Sequence, residues 1–177
     1  MKVAFLDRDG TLNVEVDFLH KPEDVALIQG AKEFVQDLVS KDYQLIMITN
    51  QSGIGRGYFE LVDLQATNHE LFRQLNVDFL EIYYCPHHPE AKINKFRANC
   101  DCRKPKPGMF MQALQKYPQI DLKSSFMVGD SLRDCQAAAA INLKSFLLAG
   151  PKCSSSPIQL PSQCLFIHQL SEIIEHL

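Results

Sequence analysis

Short apolar runs, each bounded by polar or turn residues, recur along the chain and predict the strands of a sheet. Six such runs occur, at 2–6, 44–48, 79–84, 125–128, 144–148 and 164–167. Runs of about four to six apolar residues between turn residues are typical of buried strands. We therefore expect a sheet of at least five strands, with the last run as a sixth.

Between these runs, apolar residues recur at the three- and four-residue spacing of amphipathic helices. The predicted helices lie at 31–39, 61–75, 109–117, 133–141 and 169–177. Strands that alternate with helices form a parallel sheet covered on both faces. The fold class predicted is therefore α/β, a three-layer Rossmann-like parallel sheet, in which the loops at the carboxyl ends of the strands share one edge.

Length and composition favour one domain. The 177 residues, of which 46% are hydrophobic and 22% charged, suit a single protein core of ordinary size and not a disordered chain. Residues 150–163 form a Pro- and Ser-rich loop, but no repeat or linker divides the sequence. We expect a single domain over residues 1–177.

Charge and hydropathy limit the partners. Eighteen Lys and Arg against 21 Asp and Glu give a net charge of -3, without a long run of either sign, so we expect neither nucleic acid nor a membrane as partner. The first apolar run stops at Asp7, too early for a signal peptide. We expect a cytoplasmic protein that binds a small molecule, with a monomer as the expected state.

Two aspartates, Asp7 and Asp9, follow the first predicted strand at a spacing that can aim both side chains to one side. Two close carboxylates repel, but the cost is offset where one binds a cation and the other is protonated in use. A lone Asp-x-Asp equally fits a solvated turn. The match extends to Asp-x-Asp-Gly-Thr, for which a chance occurrence has a probability on the order of 10⁻³, so we favour a catalytic site.

Three further polar clusters follow later runs. Thr49 and the glycine-rich segment 52–57 offer a hydroxyl and backbone N–H groups to an anion. Segment 102–108 holds three cations between prolines, and segment 129–134 carries acids that suit Mg²⁺. Taken alone, these clusters also fit a flexible turn, a solvated basic loop and helix capping.

A cluster of cysteine and histidine residues indicates a second metal site. A Cys-x-His pair and a Cys-x-Cys pair, twelve residues apart, supply Cys85, His87, Cys100 and Cys102. Three thiolates and one imidazole can close a tetrahedron around Zn²⁺ without an open position, which predicts a structural zinc loop over 85–102. His88 is the competing ligand, and scattered buried cysteines are the alternative. The metal would anchor the loop that presents Lys104.

In this order and at these strand ends, the four polar clusters resemble the motifs of the haloacid dehalogenase superfamily of phosphatases, over residues 3–148. The matching positions are the segment 7–11, Thr49, Lys104 and the segment 129–134. The resemblance implies a haloacid dehalogenase-like fold. Because the predicted helices use most of the residues between the motifs, we expect a capless member with an open pocket.

The resemblance also implies the reaction, a Mg²⁺-dependent hydrolysis of a phosphomonoester through an aspartyl-phosphate. Asp7 would attack phosphorus, and Asp9 would donate a proton to the leaving oxygen and later take one from water. Thr49 and Lys104 would hold the phosphoryl oxygens.

By the same resemblance, the ligands of Mg²⁺ would be the Asp7 carboxylate, the Asp9 backbone carbonyl and Asp130. Asp134 is a weaker candidate as a ligand. Since uncatalysed hydrolysis of phosphate monoesters is extremely slow, covalent catalysis, a cation and fixed charges must act together.

A capless domain with a Cys-x-His and Cys-x-Cys loop resembles the family of the heptose 1,7-bisphosphate and histidinol-phosphate phosphatases. Segment 49–59 is more similar to the heptose enzymes, because the histidinol enzymes typically have Asp at the position of Ser52. The likeness implies substrate contacts at Glu15, Val16, Asp17, Phe18, Asn50, Gln51, Ser52 and Arg103. On charge alone, candidates for a second phosphate are Arg56, Lys92, Lys95 and Arg97.

A bisphosphate needs more positive counter-charge than a cationic amino alcohol, so we favour the 7-phosphatase of D-glycero-D-manno-heptose 1,7-bisphosphate. The alternative substrate is histidinol phosphate. An alternative of another class is a catalytically inactive, zinc-stabilised binding module, against which the joint presence of all four motifs argues. A phosphotransferase or mutase could use the same aspartyl-phosphate, but a pocket open to water favours hydrolysis.

Overall fold

The computed structural model describes residues 1–153 and 159–177, which build a parallel sheet of six strands. The strands are β1 (Val3–Leu6), β2 (Gln44–Asn50), β3 (Glu81–Cys85), β4 (Phe126–Gly129), β5 (Lys144–Leu148) and β6 (Cys164–Ile167). All six predicted strands are present, with ends shifted by at most two residues. Their order in the sheet is β3-β2-β1-β4-β5-β6, and all neighbours are parallel.

Within the described ranges, five α-helices connect the strands. They are α1 (Ala31–Ser40), α2 (Ser52–Arg56), α3 (Leu61–Leu75), α4 (Gly108–Lys116) and α5 (Leu132–Ala139). Four 3₁₀ helices occur at Pro22–Asp24, Asn94–Phe96, Leu122–Ser124 and Leu170–His176. The α-helix expected at 169–177 is thus a 3₁₀ helix, and much of the glycine-rich segment 52–57 is helical.

The helices cover both faces of the sheet. In β1, Ala4 and Leu6 belong to one buried cluster, and Val3 and Phe5 belong to the other, as the two-residue period of a strand dictates. The first cluster packs under α1, α3 and the last 3₁₀ helix, and the second packs under α4 and α5. The three-layer architecture predicted from the sequence is confirmed.

One apolar residue of α1 lies outside the core. The spacing predicts Val39 on the buried face, but its side chain is 46% exposed. At 100° per residue, the buried positions Ala31, Phe34, Val35 and Leu38 form a stripe, and Val39 falls at its margin.

The sheet reverses its direction of winding between β1 and β4, because the chain adds β2 and β3 on one side of β1 and then β4 on the other. Ligands of open α/β sheets bind in the crevice at such a switch point. Ser125 fixes the register at the opposite end of this strand pair: its Oγ accepts a hydrogen bond from the Val3 N–H at 2.9 Å. The carboxyl ends of β1 and β4 therefore meet at the crevice.

The connections leave this crevice open. Within residues 1–153 and 159–177, they contain only the helices named above and irregular loops, without a further sheet or helical bundle that would form a cap. The Pro- and Ser-rich loop expected at 150–163 lies partly outside the described residues. None of the helices described has both the length and the apolar character required to cross a bilayer.

Candidate active site

Three carboxylates converge at the switch point. Asp7 follows β1 directly, Asp130 follows β4 directly, and Asp134 lies in the first turn of α5. One oxygen from each of them lies within 4.8 Å of the others, and all three residues are buried. A cleft of about 200 Å³ opens here, and Asp7, Asp9, Thr49 and Lys104 are among the residues that line it.

The carboxylate of Asp130 has the properties of a cation ligand. Both of its oxygens are buried and accept no hydrogen bond from the part of the chain that the structure describes. Lys152 Nζ lies 3.1 Å from Oδ2, as an ion pair outside hydrogen-bond geometry. Buried carboxylate oxygens without donors are costly, and hard oxygen donors of this kind suit Mg²⁺. The residues present therefore fit a divalent cation at Asp7 and Asp130.

Two glycines of the predicted motifs make room for these carboxylates. A Cβ atom on Gly10 would lie 2.0 Å from Asp130 Oδ2, and the φ of Gly10 is +81°. A Cβ atom on Gly129 would lie 2.3 Å from Asp134 Oδ2. Any side chain at either position would displace a carboxylate, since neither gap holds even a methyl group.

Lys104 supplies the positive charge between the acids. Its Nζ lies 3.0 Å from Asp7 Oδ1 and 2.6 Å from Asp134 Oδ1, and it donates to the Ile48 carbonyl oxygen at 2.7 Å. The side chain is 2% exposed. Burial alone would lower the pKa of Lys104, but the charges of Asp134 and Asp7 outweigh burial and raise this pKa. Lys104 is a fixed cation beside the expected nucleophile.

Asp134 uses its two oxygens differently. Oδ2 accepts from the Ser131 N–H at 3.1 Å, which caps α5, while Oδ1 pairs with Lys104. Helix capping, which the sequence left open as an alternative, is thus present together with a contact to Lys104. With both oxygens engaged, Asp134 orients the lysine, and its part as a metal ligand stays a prediction.

The crowding of negative charge shifts the titration of two acids. Burial, with the Asp7 charge as the next cause, raises the pKa of Asp130 to about 6. Burial and then the Asp7 charge raise the pKa of Asp134 to about 7, against the opposing effect of Lys104. The cluster therefore holds protons at a pH where ordinary aspartates have lost them.

Asp9 lies on the edge of the cleft, in a cage of donors. Its Oδ1 accepts from Asn13 Nδ2 at 3.0 Å, and its Oδ2 accepts from Gln51 Nε2 at 2.8 Å. The Arg8 guanidinium contacts both oxygens. Sequence reasoning missed Arg8, because a charged residue between two aspartates at a strand end predicts an exposed side chain, whereas Arg8 is 1% exposed.

The residues after β2 connect the motifs. Gln51 Nε2 also donates to Thr49 Oγ1 at 2.9 Å, which links the expected phosphate-binding hydroxyl to Asp9. The Asn50 side chain pairs with the Lys104 backbone in both directions, each hydrogen bond being 3.1 Å. Asn50 therefore positions the loop that carries Lys104, in addition to facing the cleft with Ser52.

Most of the predicted substrate contacts line the cleft. They are Glu15, Val16, Asp17, Phe18, Asn50, Gln51, Ser52 and Arg103. Additional polar residues line it that the sequence analysis did not single out: Arg8, Ser131, Arg133 and Lys152. Arg133 and Lys152 follow β4 and β5, on the other side of the switch point from β2 and β3. Nothing in a single sequence predicts that they line the same cleft as the segment 15–18.

Four predicted cations lie outside the set of described residues that line the cleft. Arg56 Nη2 contacts the ring of His88 at 2.9 Å, and Arg97 donates to the Ala91 carbonyl oxygen. The Nζ atoms of Lys92 and Lys95 lie over the rings of Tyr58 and Phe96. The second-phosphate role given to them on charge alone thus has no support from their positions.

The predicted zinc ligands form one cluster. Five distances join Sγ of Cys85, Cys100 and Cys102 and Nδ1 of His87, and they range from 3.2 to 3.7 Å. A Zn–S bond of about 2.3 Å gives a tetrahedral S–S edge of about 3.8 Å. All three cysteines are free thiols, and the donor set and spacing fit a tetrahedral ion. His88 contacts Arg56 instead, so His87 completes the set.

We expect Mg²⁺ to raise the Tm of the protein more at pH 7.5 than at pH 5.5. The folded-state pKa values of Asp130 and Asp134, about 6 and about 7, exceed the ordinary value of 3.8. Their contribution to stability is therefore full below that value and is lost as the pH rises through 6 and 7. A cation offsets this loss by binding the deprotonated folded form.

Differential scanning fluorimetry with EDTA or with Mg²⁺ at both pH values measures the effect. The variant Asp130→Asn is the control, because it removes a carboxylate and should abolish most of the Mg²⁺-induced shift. A larger shift at pH 5.5 than at pH 7.5 would contradict the expectation.

We also expect Cys100→Ser to lose zinc and to lower Tm by roughly 10 °C, because a structural zinc ion contributes much of the free energy that orders its loop. Elemental analysis and a thermal melt of the purified protein test this. Cys153→Ser is the matched control, since Cys153 lies outside the four-residue cluster. Full zinc content and an unchanged melt for Cys100→Ser would refute the metal site.

Comparison with known proteins agrees with this geometry. The family model described as Polynucleotide kinase 3 phosphatase matches residues 2–143. The D-glycero-beta-D-manno-heptose-1,7-bisphosphate 7-phosphatase of Escherichia coli O6:H1 is 43% identical over 147 residues, which cover 81% of this chain and 77% of that protein. The protein of the same name from Photorhabdus laumondii subsp. laumondii is 39% identical over 175 residues, 96% of this chain and 92% of that protein.

Solved structures give the same result. The D,D-heptose 1.7-bisphosphate phosphatase from B. bronchiseptica, complexed with magnesium and phosphate, matches with a TM-score of 0.87 at 32% identity and covers 99% of this chain and 97% of that one. The enzyme of Burkholderia thailandensis matches with a TM-score of 0.69 at 25% identity, over 99% and 97% of the two chains. The fold and the family predicted from the sequence are confirmed. The chain belongs to the heptose 1,7-bisphosphate phosphatase family of the haloacid dehalogenase superfamily.

Proposed function

We propose that this protein is a Mg²⁺-dependent phosphatase that removes the 7-phosphate of D-glycero-D-manno-heptose 1,7-bisphosphate. The observation that carries the proposal is the buried cluster at the switch point, in which Lys104 bridges Asp7 and Asp134. Beside them lies the Asp130 carboxylate, which accepts no hydrogen bond from the described residues. Relatives of known name, up to 44% identical to this chain, are phosphatases of this sugar bisphosphate.

Asp7 is the nucleophile. Its carboxylate attacks phosphorus while the bond to the sugar oxygen breaks, which leaves an aspartyl-phosphate on Asp7. Lys104 Nζ, 3.0 Å from Asp7 Oδ1, is placed to hold a phosphoryl oxygen, and Thr49 Oγ1 lies on the same rim. Mg²⁺ held by Asp7, Asp130 and the Asp9 carbonyl oxygen would supply positive charge to the transferring group.

Asp9 is the general acid and base. It donates a proton to the sugar oxygen as the ester bond breaks, and its carboxylate then takes a proton from the water that attacks the aspartyl-phosphate. Transfer of a proton by a positioned side chain contributes about 10²- to 10⁴-fold to such a rate. The open crevice admits that water, which favours hydrolysis over transfer to a second sugar.

The part of the cleft wall formed by Arg103 and Arg133 suits a second phosphate. Burial lowers the pKa of Arg103, and the neighbouring positive charge of Arg133 lowers it further. Two guanidinium groups that repel each other are stabilised by an anion between them, and arginine binds phosphate with two parallel hydrogen bonds. A substrate with one phosphate and a cationic amine would leave this wall unmatched.

The Cys85–Cys102 loop completes the proposal as a structural Zn²⁺ site, supported by the 3.2 to 3.7 Å donor spacing. The enzyme would act as a single domain in the cytoplasm, with a monomer as its expected state. The reaction needs only residues of one chain.

We expect Asp7→Asn to lower phosphate release from 4-nitrophenyl phosphate with Mg²⁺ by at least about 10³-fold, because loss of a catalytic nucleophile removes the covalent route. Colorimetric phosphate release measures this. Asp37→Asn, an exposed residue of α1, serves as the control and should match the wild type. Equal rates for Asp7→Asn and wild type would end the phosphatase proposal and leave a binding module.

We expect kcat/KM for heptose 1,7-bisphosphate to exceed that for histidinol phosphate by at least about 10²-fold. The chemistry at phosphorus is the same for both compounds, so the ratio of the two kcat/KM values measures contacts away from phosphorus, such as those of Arg103 and Arg133. Parallel assays of the wild-type enzyme at one Mg²⁺ concentration decide the substrate. A ratio below one would assign the enzyme to histidinol phosphate instead.

A further inference from the structure

Arg8 has an unusual environment for a charged side chain next to a catalytic cleft. It is among the largest side chains buried to 98% or more, and it lies between the two aspartates of the first motif. A buried guanidinium is costly unless every donor finds a partner. The partners of Arg8 therefore indicate why the charge is buried.

The first set of partners is the Asp9 carboxylate. Arg8 Nε lies 3.0 Å from Oδ1 and 3.0 Å from Oδ2, and Nη2 lies 2.9 Å from Oδ1. Together with Asn13 and Gln51, these contacts fix the carboxylate from one side. Its other side is open, and the Asp9 side chain keeps 18% of its surface exposed.

The second set of partners lies on α3, about 60 residues away in the sequence. Arg8 Nη1 donates to Thr67 Oγ1 and to Asn68 Oδ1, each at 3.3 Å. Thr67 Oγ1 itself donates to the Leu64 carbonyl oxygen, so its lone pairs face Arg8. Both residues are at least 95% buried, so bulk solvent has little access to these hydrogen bonds. The helix thus holds the guanidinium, and the guanidinium holds Asp9.

The Asp9 carboxylate lines the cleft and keeps part of its surface exposed, so it can reach a substrate there. Orientation matters here, since a general acid contributes only when its oxygen lies within about 3 Å of the atom that it protonates. A freely rotating aspartate would lose part of this contribution, and small misplacements of reacting groups cost about 10²-fold.

We propose that Arg8 is a positioning residue, which aims the Asp9 carboxylate at the leaving oxygen and is itself held by Thr67 and Asn68 of α3. The proposal rests on the phosphatase function proposed above. Under this proposal, α3 contributes to the proton-transfer step, although this helix contains none of the predicted catalytic residues.

The dependence of the rate on the leaving group separates this role from a structural one. 4-Nitrophenolate leaves without a proton, whereas a sugar alkoxide needs one from Asp9. The value of kcat/KM reports the first step, in which the ester bond breaks. Loss of positioning therefore lowers kcat/KM for the alkyl ester and leaves that for the aryl ester nearly unchanged.

The variants are Arg8→Lys, which keeps the charge but cannot span Asp9 and α3, and Asn68→Leu, which removes one anchor of Arg8 at similar volume. For Arg8→Lys we expect kcat/KM to fall by about 10- to 100-fold for heptose 1,7-bisphosphate and by less than about 3-fold for 4-nitrophenyl phosphate. Asn68→Leu should show the same pattern, with a smaller loss of kcat/KM for the heptose ester. Asp9→Asn shows the loss of kcat/KM expected when the general acid is absent. His69→Ala, at an exposed position of α3, is the control and should match the wild type.

Equal losses on both esters, or no loss on either, would overturn the positioning role. If Arg8→Lys does not fold, as judged by its thermal melt, the pattern of Asn68→Leu decides. Failure of the phosphatase proposal itself is distinguishable, because the wild-type enzyme would then release phosphate from neither ester.

Discussion

The structure depends on a local excess of buried negative charge, which Lys104 and, at Asp130, Lys152 compensate. Asp7, Asp130 and Asp134 are buried with oxygens within 4.8 Å of one another, and Lys104 is placed between two of them. Carboxylates so close in a protein interior repel strongly unless a cation or a proton intervenes. The sheet topology brings the acids together, and the arrangement persists because the lysine and a metal ion can share their charge.

The need to hold Lys104 in place explains much of the structure around it. Lys104 comes from a loop between β3 and α4 that has few apolar residues of its own, so other contacts must hold it. The reciprocal pair with Asn50 ties its backbone to the end of β2, and Cys102 ties the preceding turn to the thiol cluster. A metal ion held by these thiols would therefore help to fix the position of the Lys104 amine without touching it.

The sequence was sufficient for the fold and for most of the site, because parallel strands end at a common edge and each motif follows a strand. The sequence was insufficient where tertiary contacts determine the position of a side chain. Arg8 can be buried because α3 supplies acceptors 59 and 60 residues later, in addition to the Asp9 carboxylate. Arg56, predicted from charge alone to bind phosphate, contacts His88 instead and is not among the described residues that line the cleft. Helical spacing likewise could not place Val39, which lies at the margin of the buried stripe.

The close approach of Gly10 to Asp130 and of Gly129 to Asp134 has a consequence for judging distant relatives. A homologue can keep every acid and the lysine and still be a pseudoenzyme, if alanine stands at either glycine, because the added methyl group would occupy the space of a carboxylate oxygen. Decay of function in this lineage can therefore begin at residues that carry no chemistry, and an inventory of charged positions would overlook it.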